Sequence, residues 1–230
     1  MAPKTINHPY FPRSLKIPHY KHNDKDLTEL LSVFFGIVAV FIVLTWVVTG
    51  FVARKPLSVT RRLIVCWFVA CGLIHSVLEG YFGYFHATLA GHMDFLGQLW
   101  KEYGKGDSRY ISSDTFTVCM ERITAVVDGP LAFLAAAAFI QNSSHRYVVQ
   151  LLLSLCQLYG DTLYFLTEIF EGFTHSEFNH PIYFWFYFAF LNSLWIVIPF
   201  SLIVDSCRQL VRCQAVFDDS GKVKNNKKMH

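Results

Sequence analysis

The sequence predicts an all-α integral membrane protein in which five transmembrane helices enclose an intramembrane ligand cavity. Of the 230 residues, 53% are hydrophobic and only 16% are charged, whereas a typical soluble domain has about 25% charged residues. A helix needs about 20 apolar residues to cross the hydrocarbon core. Five stretches meet that length, and they are residues 30–53, 63–85, 115–140, 147–167 and 181–204.

Several classes of protein are excluded by composition and by missing motifs. The net charge of +3 is too small to indicate a nucleic-acid partner. The six cysteines form no C-x-x-C pair, and H-x-x-H-H boxes, Gly-rich nucleotide loops and a G-x-S-x-G elbow are absent. We therefore expect no metal site and no nicotinamide, nucleotide or serine-hydrolase chemistry. The first 29 residues lack the short apolar core of a cleaved signal peptide, so the first span is expected to direct insertion.

If the five spans cross the membrane in turn, the basic residues are divided unequally between its two sides. One side carries eleven Lys and Arg residues against three acids, and the other carries eight against ten. Because basic residues collect on cytosolic loops, the sequence predicts a lumenal segment 1–29, a five-span domain 30–206 and a cytosolic basic tail 207–230. A four-span alternative, in which residues 147–167 fail to insert, would spoil this asymmetry.

The tail ends with Lys227 and Lys228 at the fourth and third places from its last residue. This pair resembles the dilysine signal that retrieves proteins to the endoplasmic reticulum. It predicts a multi-pass protein of that membrane or of the nuclear envelope. The alternative interpretation is a solvated, lysine-rich end.

Polar residues within the predicted spans are the candidates for chemistry. An ionisable residue at the centre of a span costs about 2.5–3.5 kcal/mol and is a functional candidate by default. His75 and Glu79 are four residues apart and share one helix face. Glu121, Thr124 and Asp128 share a face of the third span at spacings of three and four. Glu79 and Glu121 are predicted to lie at matching depth.

Each of these residues also has a structural interpretation. His75 could simply bind Glu79, and Arg122 could neutralise one carboxylate. Asn192 taken alone would be interpreted as a hydrogen-bonding residue between helices. Trp195 taken alone would be interpreted as a residue of the packed core. Asp161, with Gln157 and Tyr164 on its face, is interpreted as a structural hydrogen-bonding node, whereas Asp128 is left undecided. The number of carboxylates, without enough cations to neutralise them, favours a functional cavity.

Six runs of sequence make the chain similar to a known family. They are VCWF at 65–68, IHSVLEG at 74–80, WKEYGKGDSRY at 100–110, FTVCME at 116–121, LYGD at 158–161 and HPIYFWFYF at 180–188. In these runs the chain resembles the emopamil-binding protein family, which has a five-span EXPERA domain. The resemblance implies a sterol Δ8-Δ7 isomerase of sterol biosynthesis, including that of cholesterol, which needs no cofactor.

The resemblance also implies roles for particular residues. The catalytic set is His75, Glu79 and Glu121. Substrate or cation stabilisation is implied for Thr124, Asn192 and Trp195. Candidate accessory residues are Asp128, Asp161, Arg109 and Tyr110.

In the implied reaction an 8-ene sterol such as zymosterol is protonated at carbon 9 and loses a proton from carbon 7. His75, charged with help from Glu79, is expected to be the acid. Glu121, held by Thr124 and Asn192, is expected either to be the base or to reset the proton, and the Trp195 ring is expected to face the intermediate cation. Which carboxylate takes the carbon 7 proton stays open. The reverse assignment, with a neutral Glu as donor, stays open.

The expected partners are the sterol, membrane lipid and cationic amphiphilic amines that act as inhibitors, and a homodimer is left open. The main alternative is a non-catalytic member of the same family that binds sterols or cationic drugs. A proton-coupled transporter is less favoured, because the broken helices expected at a midplane site are missing.

Overall fold

The computed structural model describes residues 7–226, with side chains described as far as residue 220. Within those residues the chain forms helices and no strands. The candidate retrieval lysines, Lys227 and Lys228, lie outside the described residues.

Seven helices form the described fold, besides one short 3-10 turn. They are α1 (Leu27–Val52), α2 (Val59–Phe85), α3 (Phe95–Tyr103), α4 (Arg109–Ser112), α5 (Thr115–Ile140), α6 (Arg146–Phe170) and α7, which comprises Pro181–Leu191 and Asn192–Asn226. Side-chain caps start several of them: Asp26, Ser58, Asp94 and Asp114 each accept a backbone N–H three residues ahead. Such caps satisfy amide groups that the first turn leaves unpaired.

Four of these helices, α1, α2, α5 and α7, are long and apolar enough to cross a membrane. The sequence prediction is confirmed for these four spans. The predicted span 147–167 lies in α6, which is one continuous helix of 25 residues but falls below the same standard of apolarity. The reason is its inward stripe of polar side chains, which includes Gln150, Gln157 and Glu168, each no more than 4% exposed.

The helices pack as neighbours in a bundle, with α6 along α7, α2 along α5, and α1 against α2. Small residues permit the close approach that membrane helices favour. A Cβ atom at Gly72 would lie 2.8 Å from the Phe133 ring, and one at Gly129 would lie 3.2 Å from the Ser76 nitrogen. The contact between α2 and α5 therefore depends on glycine at its two tightest points.

Helix α1 lies at the edge of the bundle, with only Leu30 and Thr49 buried. Arg62 of α2 fixes it by donating to the Trp46 carbonyl and lying 3.9 Å from the Trp46 ring centroid. The outer face of α1 is apolar and exposed, as expected of a surface covered by lipid.

Three segments, residues 7–26, 86–114 and 171–180, meet at one end of the bundle, which we call the connecting face. Lys21 N donates to Ala90 O at 2.9 Å, and Ser108 N donates to His175 O at 3.0 Å. At the other end Arg54 N donates to Ile140 O, and Arg61 pairs with Asp205. Helix α6 therefore runs from one end of the bundle to the other.

Candidate active site

A cavity of about 660 Å³ lies between α1, α2, α3, α5, α6 and α7. Its volume is within the range of about 300–1,000 Å³ that is usual for small-molecule sites. Most of its wall is apolar, but five carboxyl groups and one imidazole line it, whereas no Lys or Arg of the described residues does. These acidic side chains are Glu79, Glu102, Glu121, Asp128 and Asp161, and the imidazole is His75.

Four polar residues of the cavity, His75, Glu79, Thr124 and Asp128, lie in stretches of π-helix. One covers Ile74–Glu79 in α2, another covers Thr124–Asp128 in α5, and the third, Pro181–Leu191, ends next to Asn192. The Thr124 hydroxyl donates to Met120 O at 3.0 Å within its own helix. Because π-helical turns are rare and frequent at functional sites, their positions support the choice of these residues.

His75 is the centre of the first cluster and is only 2% exposed. Its Nδ1 lies 2.8 Å from Glu79 Oε2, and its Nε2 lies 2.9 Å from Gln157 Nε2 and 3.3 Å from Trp195 Nε1. An indole N–H can only donate, so Nε2 is the acceptor. The ring proton therefore belongs on Nδ1, where it is donated to Glu79.

Glu121 is the centre of the second cluster and accepts a hydrogen bond of 2.6 Å from the Tyr110 hydroxyl. The expectation that Thr124 and Asn192 hold Glu121 is wrong. Asn192 Oδ1 instead accepts from the Tyr103 hydroxyl at 2.9 Å, and Thr124 binds its own helix. The physical reason is that residues 86–114, which we call the connecting segment, fold back over the bundle and bring Tyr103 and Tyr110 into the cavity wall.

The interpretation of Asp161 as a structural hydrogen-bonding node is also wrong. Its Oδ2 atom is buried without a hydrogen-bond partner among the described residues, and the same holds for Asp128 Oδ1. Gln157, which was expected to serve Asp161, binds His75 instead. Asp128 and Asp161 thus each have a buried acceptor atom in the cavity that His75, Glu79 and Glu121 also line.

Arg109 and Arg122, which the sequence offered as charged neighbours of the site, do not line the cavity. The proposed pairing of Arg122 with a carboxylate is wrong, because its Nε donates to Gly83 O at 2.8 Å and its Nη2 lies 3.2 Å from His86 Nε2. Arg109 does not line the cavity either. It is 1% exposed and binds Asp107 at 2.6 Å and Thr167 at 2.6 Å, which ties the connecting segment to α6.

Trp195 and Asn192, both expected from the sequence, line the cavity. The Trp195 ring packs 5.4 Å from the Trp67 ring centroid and donates towards His75. Two hydrogen bonds of the site were not predicted from the sequence, namely that between Gln157 and His75 and that between Tyr103 and Asn192. Gln157 gave a signal, because it lies one helical turn before Asp161, whereas Tyr103 lies outside every span.

Residues 95–206 match the family model of EXPERA, the expanded EBP superfamily. The chain is 47% identical over 223 residues to the 3-beta-hydroxysteroid-Delta(8),Delta(7)-isomerase of Mus musculus, covering 97% of this chain and 96% of that protein. It is 36% identical over 225 residues to a probable isomerase of the same name from Arabidopsis thaliana, covering 97% and 98%. A protoglabretal synthase of Ailanthus altissima is 34% identical over 223 residues, covering 95% and 98%.

The fold and the site define a helical membrane protein with an acid-lined apolar cavity. Within that class, the chain belongs to the EXPERA family together with the 3-beta-hydroxysteroid-Delta(8),Delta(7)-isomerases. The resemblance inferred from the six sequence runs is confirmed.

A separate cluster on the connecting face joins Glu168, Glu171 and His175, whose ligand atoms lie within 4.8 Å of one another. His175 Nδ1 is 2.9 Å from Glu168 and 3.2 Å from Glu171. Glu168 already accepts the backbone N–H groups of His175 and Ser176, and the Arg109 guanidinium lies 3.8 Å from it. These contacts describe a hydrogen-bonded ion-pair network.

We predict a pH-dependent contribution of His175 to stability. The hydrogen bond to Glu168 raises the pKa of His175 above its ordinary value, burial opposes this shift, and the charges of Glu168, Asp107 and Glu171 add to it. A raised pKa means that the stabilisation is complete below the unfolded pKa of about 6.5 and is lost as pH rises through the folded value.

The measurement is the thermal unfolding midpoint in detergent from about pH 6 to about pH 8, a window that brackets that pKa. The difference between the native protein and His175→Gln should shrink as pH rises. A difference that stays constant or grows with pH would contradict the assignment.

Proposed function

We propose that this protein is a sterol Δ8-Δ7 isomerase that moves the ring double bond of an 8-ene sterol to carbons 7 and 8. The observation that carries the proposal is the pairing of His75 with Glu79 and of Tyr110 with Glu121 around one apolar cavity. The relatives that are 47% identical are 3-beta-hydroxysteroid-Delta(8),Delta(7)-isomerases, which supports the same reaction.

The chemistry requires an acid, a base and a site for a cation. A proton added at carbon 9 leaves a tertiary cation at carbon 8, and loss of a proton from carbon 7 forms the new double bond. The reaction neither gains nor loses electrons. An alkene is a very weak base, so the proton donor must be close to it and shielded from water.

Glu79 is the proposed carrier of the proton that reaches carbon 9, and His75 orients it. The two nitrogens of His75 are engaged, Nδ1 by Glu79 and Nε2 by Trp195 and Gln157, which leaves no ring N–H directed at a sterol. Direct donation by His75, as expected from the sequence, is therefore less consistent with these contacts. This supports the alternative in which a neutral glutamic acid is the donor.

Glu121 is the proposed base that takes the proton from carbon 7. The hydrogen bond of 2.6 Å from Tyr110 stabilises its carboxylate form and directs it. The free acceptor atoms of Asp128 and Asp161 and the Trp195 ring are proposed to stabilise the cation. Thr124 and Asn192 complete the polar part of the wall.

We predict that Glu121→Gln lowers isomerisation by about 10²–10⁴-fold, the usual contribution of an acid–base group. His75→Ala removes the residue that orients Glu79 and should lower isomerisation within the same range of about 10²–10⁴-fold. The measurement is the ratio of 8-ene to 7-ene sterols in cells that lack their own isomerase. Glu177→Gln is the matched control, because Glu177 pairs with Arg13 on the exposed connecting face. Near-normal activity of either cavity variant would remove that residue from the mechanism.

The acid-lined cavity is also proposed to bind cationic amphiphilic amines, which imitate the carbon 8 cation. A stable ammonium on an apolar scaffold should bind more tightly than a neutral sterol, as transition-state analogues do. The group proposed to contact the ammonium is the Trp195 ring, and its attraction to a desolvated cation contributes about 1–2 kcal/mol.

We predict that Trp195→Leu weakens binding of such an amine by about 5–30-fold more than binding of its uncharged carbon isostere, the ratio that corresponds to that energy. Trp185→Leu is the control, because Trp185 lies on α7 with 54% of its surface exposed and does not line the cavity. Equal losses for the amine and the isostere would show that Trp195 only packs.

The proposed arrangement in the membrane has five spans, of which α6 is the fourth in chain order. Two observations support it. Helix α6 runs between the two ends of the bundle, and hydrogen bonds join the three segments of the connecting face to one another at one end. The connecting face, with segment 1–29, is proposed to be lumenal, and residues 207–230 to be cytosolic, in the endoplasmic reticulum.

We predict that in intact microsomes a tag at residue 230 is cleaved by added protease and a tag at residue 1 is protected. Detergent should expose both, which controls for the tags themselves. Cleavage of both tags in intact vesicles would contradict the five-span arrangement.

A further inference from the structure

A second pocket lies on the connecting face, outside the spanning helices. It has a volume of about 610 Å³ and is lined mainly by polar side chains of the segment 7–27, α3 and the start of α7. Arg13, at its edge, has 54% of its side chain exposed, so the pocket opens to solvent. We call it the polar pocket, and its charged lining residues are Arg13, Lys25, Asp26, Lys101, Glu102 and Lys105.

Glu102 of α3 is the acidic side chain that lines both the polar pocket and the intramembrane cavity. It is only 4% exposed. Its Oε2 atom lies 2.5 Å from Lys105 Nζ, and Lys105 lines the polar pocket. Its Oε1 atom accepts from the Tyr187 hydroxyl at 3.3 Å, and Tyr187 lines the inner cavity. One carboxyl group therefore bridges the wall between the two spaces.

The proposed isomerisation requires that the acid and the base regain their starting protonation states after every turnover. Once carbon 9 has gained a proton and carbon 7 has lost one, the acid is deprotonated and the base is protonated. The other acidic side chains of the cavity, such as Glu79 and Asp161, lie within the helices of the bundle. Glu102 lies on the connecting segment, next to Tyr103, whose hydroxyl reaches Asn192 at 2.9 Å.

We propose that Glu102 is the proton port of this site, which passes protons between the solvent in the polar pocket and the carboxyl groups of the cavity. It carries protons and does not contact the reacting carbons. This inference rests on the proposed isomerase function and deepens it. The competing explanation is that the pair of Glu102 and Lys105 only fixes α3 against α7.

The first test compares the first turnover with later turnovers in Glu102→Gln, purified in lipid nanodiscs and mixed with an 8-ene sterol. A blocked port leaves the first turnover intact and slows the following ones by about 100-fold, the lower end of general acid–base effects. Glu177→Gln should behave like the native protein in both phases. Unchanged later turnovers in Glu102→Gln would overturn the proposal.

The second test separates proton transfer from structure. Lys105→Met removes the ion pair and keeps the carboxyl group, so it should retain repeated turnover, whereas a structural ion pair would make both variants fail alike. In Glu102→Ala, acetic acid added to the buffer can enter the polar pocket and should restore part of the later turnovers. Absence of rescue, together with equal loss in Lys105→Met, would assign Glu102 a structural role.

The two tests also distinguish this inference from the function on which it rests. If the native protein shows no first turnover, the isomerase proposal fails. If the native protein turns over and Glu102→Gln matches it, only the port fails.

Discussion

The site depends on one constraint, namely that Glu79 and Glu121 are held in an apolar cavity that no Lys or Arg of the described residues lines. A buried carboxyl group is costly unless it is hydrogen-bonded. Here the bonds come from uncharged donors, the His75 ring for Glu79 and the Tyr110 hydroxyl for Glu121. These uncharged donors hold Glu79 and Glu121 in place without adding a positive charge to the cavity.

This constraint explains why residues outside the spans belong to the site. Tyr103 and Tyr110 come from residues 86–114, which are anchored to α6 by the hydrogen bond from Arg109 to Thr167. Loss of that anchor would release both tyrosines from Asn192 and Glu121. The connecting segment therefore serves the cavity in the way that a second layer of contacts orients catalytic groups in other enzymes.

Much of this arrangement was predictable from the spacing of residues within single helices. The faces shared by His75 and Glu79, and by Glu121 and Asp128, follow from helical periodicity, and four spans follow from apolar length. The partners of Glu121 and Arg122 were not predictable, because they depend on how separate helices and the connecting segment meet. Gln157 and Tyr103 contribute through such long-range contacts.

The measurement that tests this account most directly is the fate of hydrogen in the isomerisation itself. The purified protein in deuterated water should convert an 8-ene sterol to its 7-ene isomer with deuterium at carbon 9, as determined by nuclear magnetic resonance of the product. Conversion with only ordinary hydrogen at carbon 9, carried over from carbon 7 of the substrate, or no conversion by a folded protein, would contradict proton exchange through the Glu79 and Glu121 cavity.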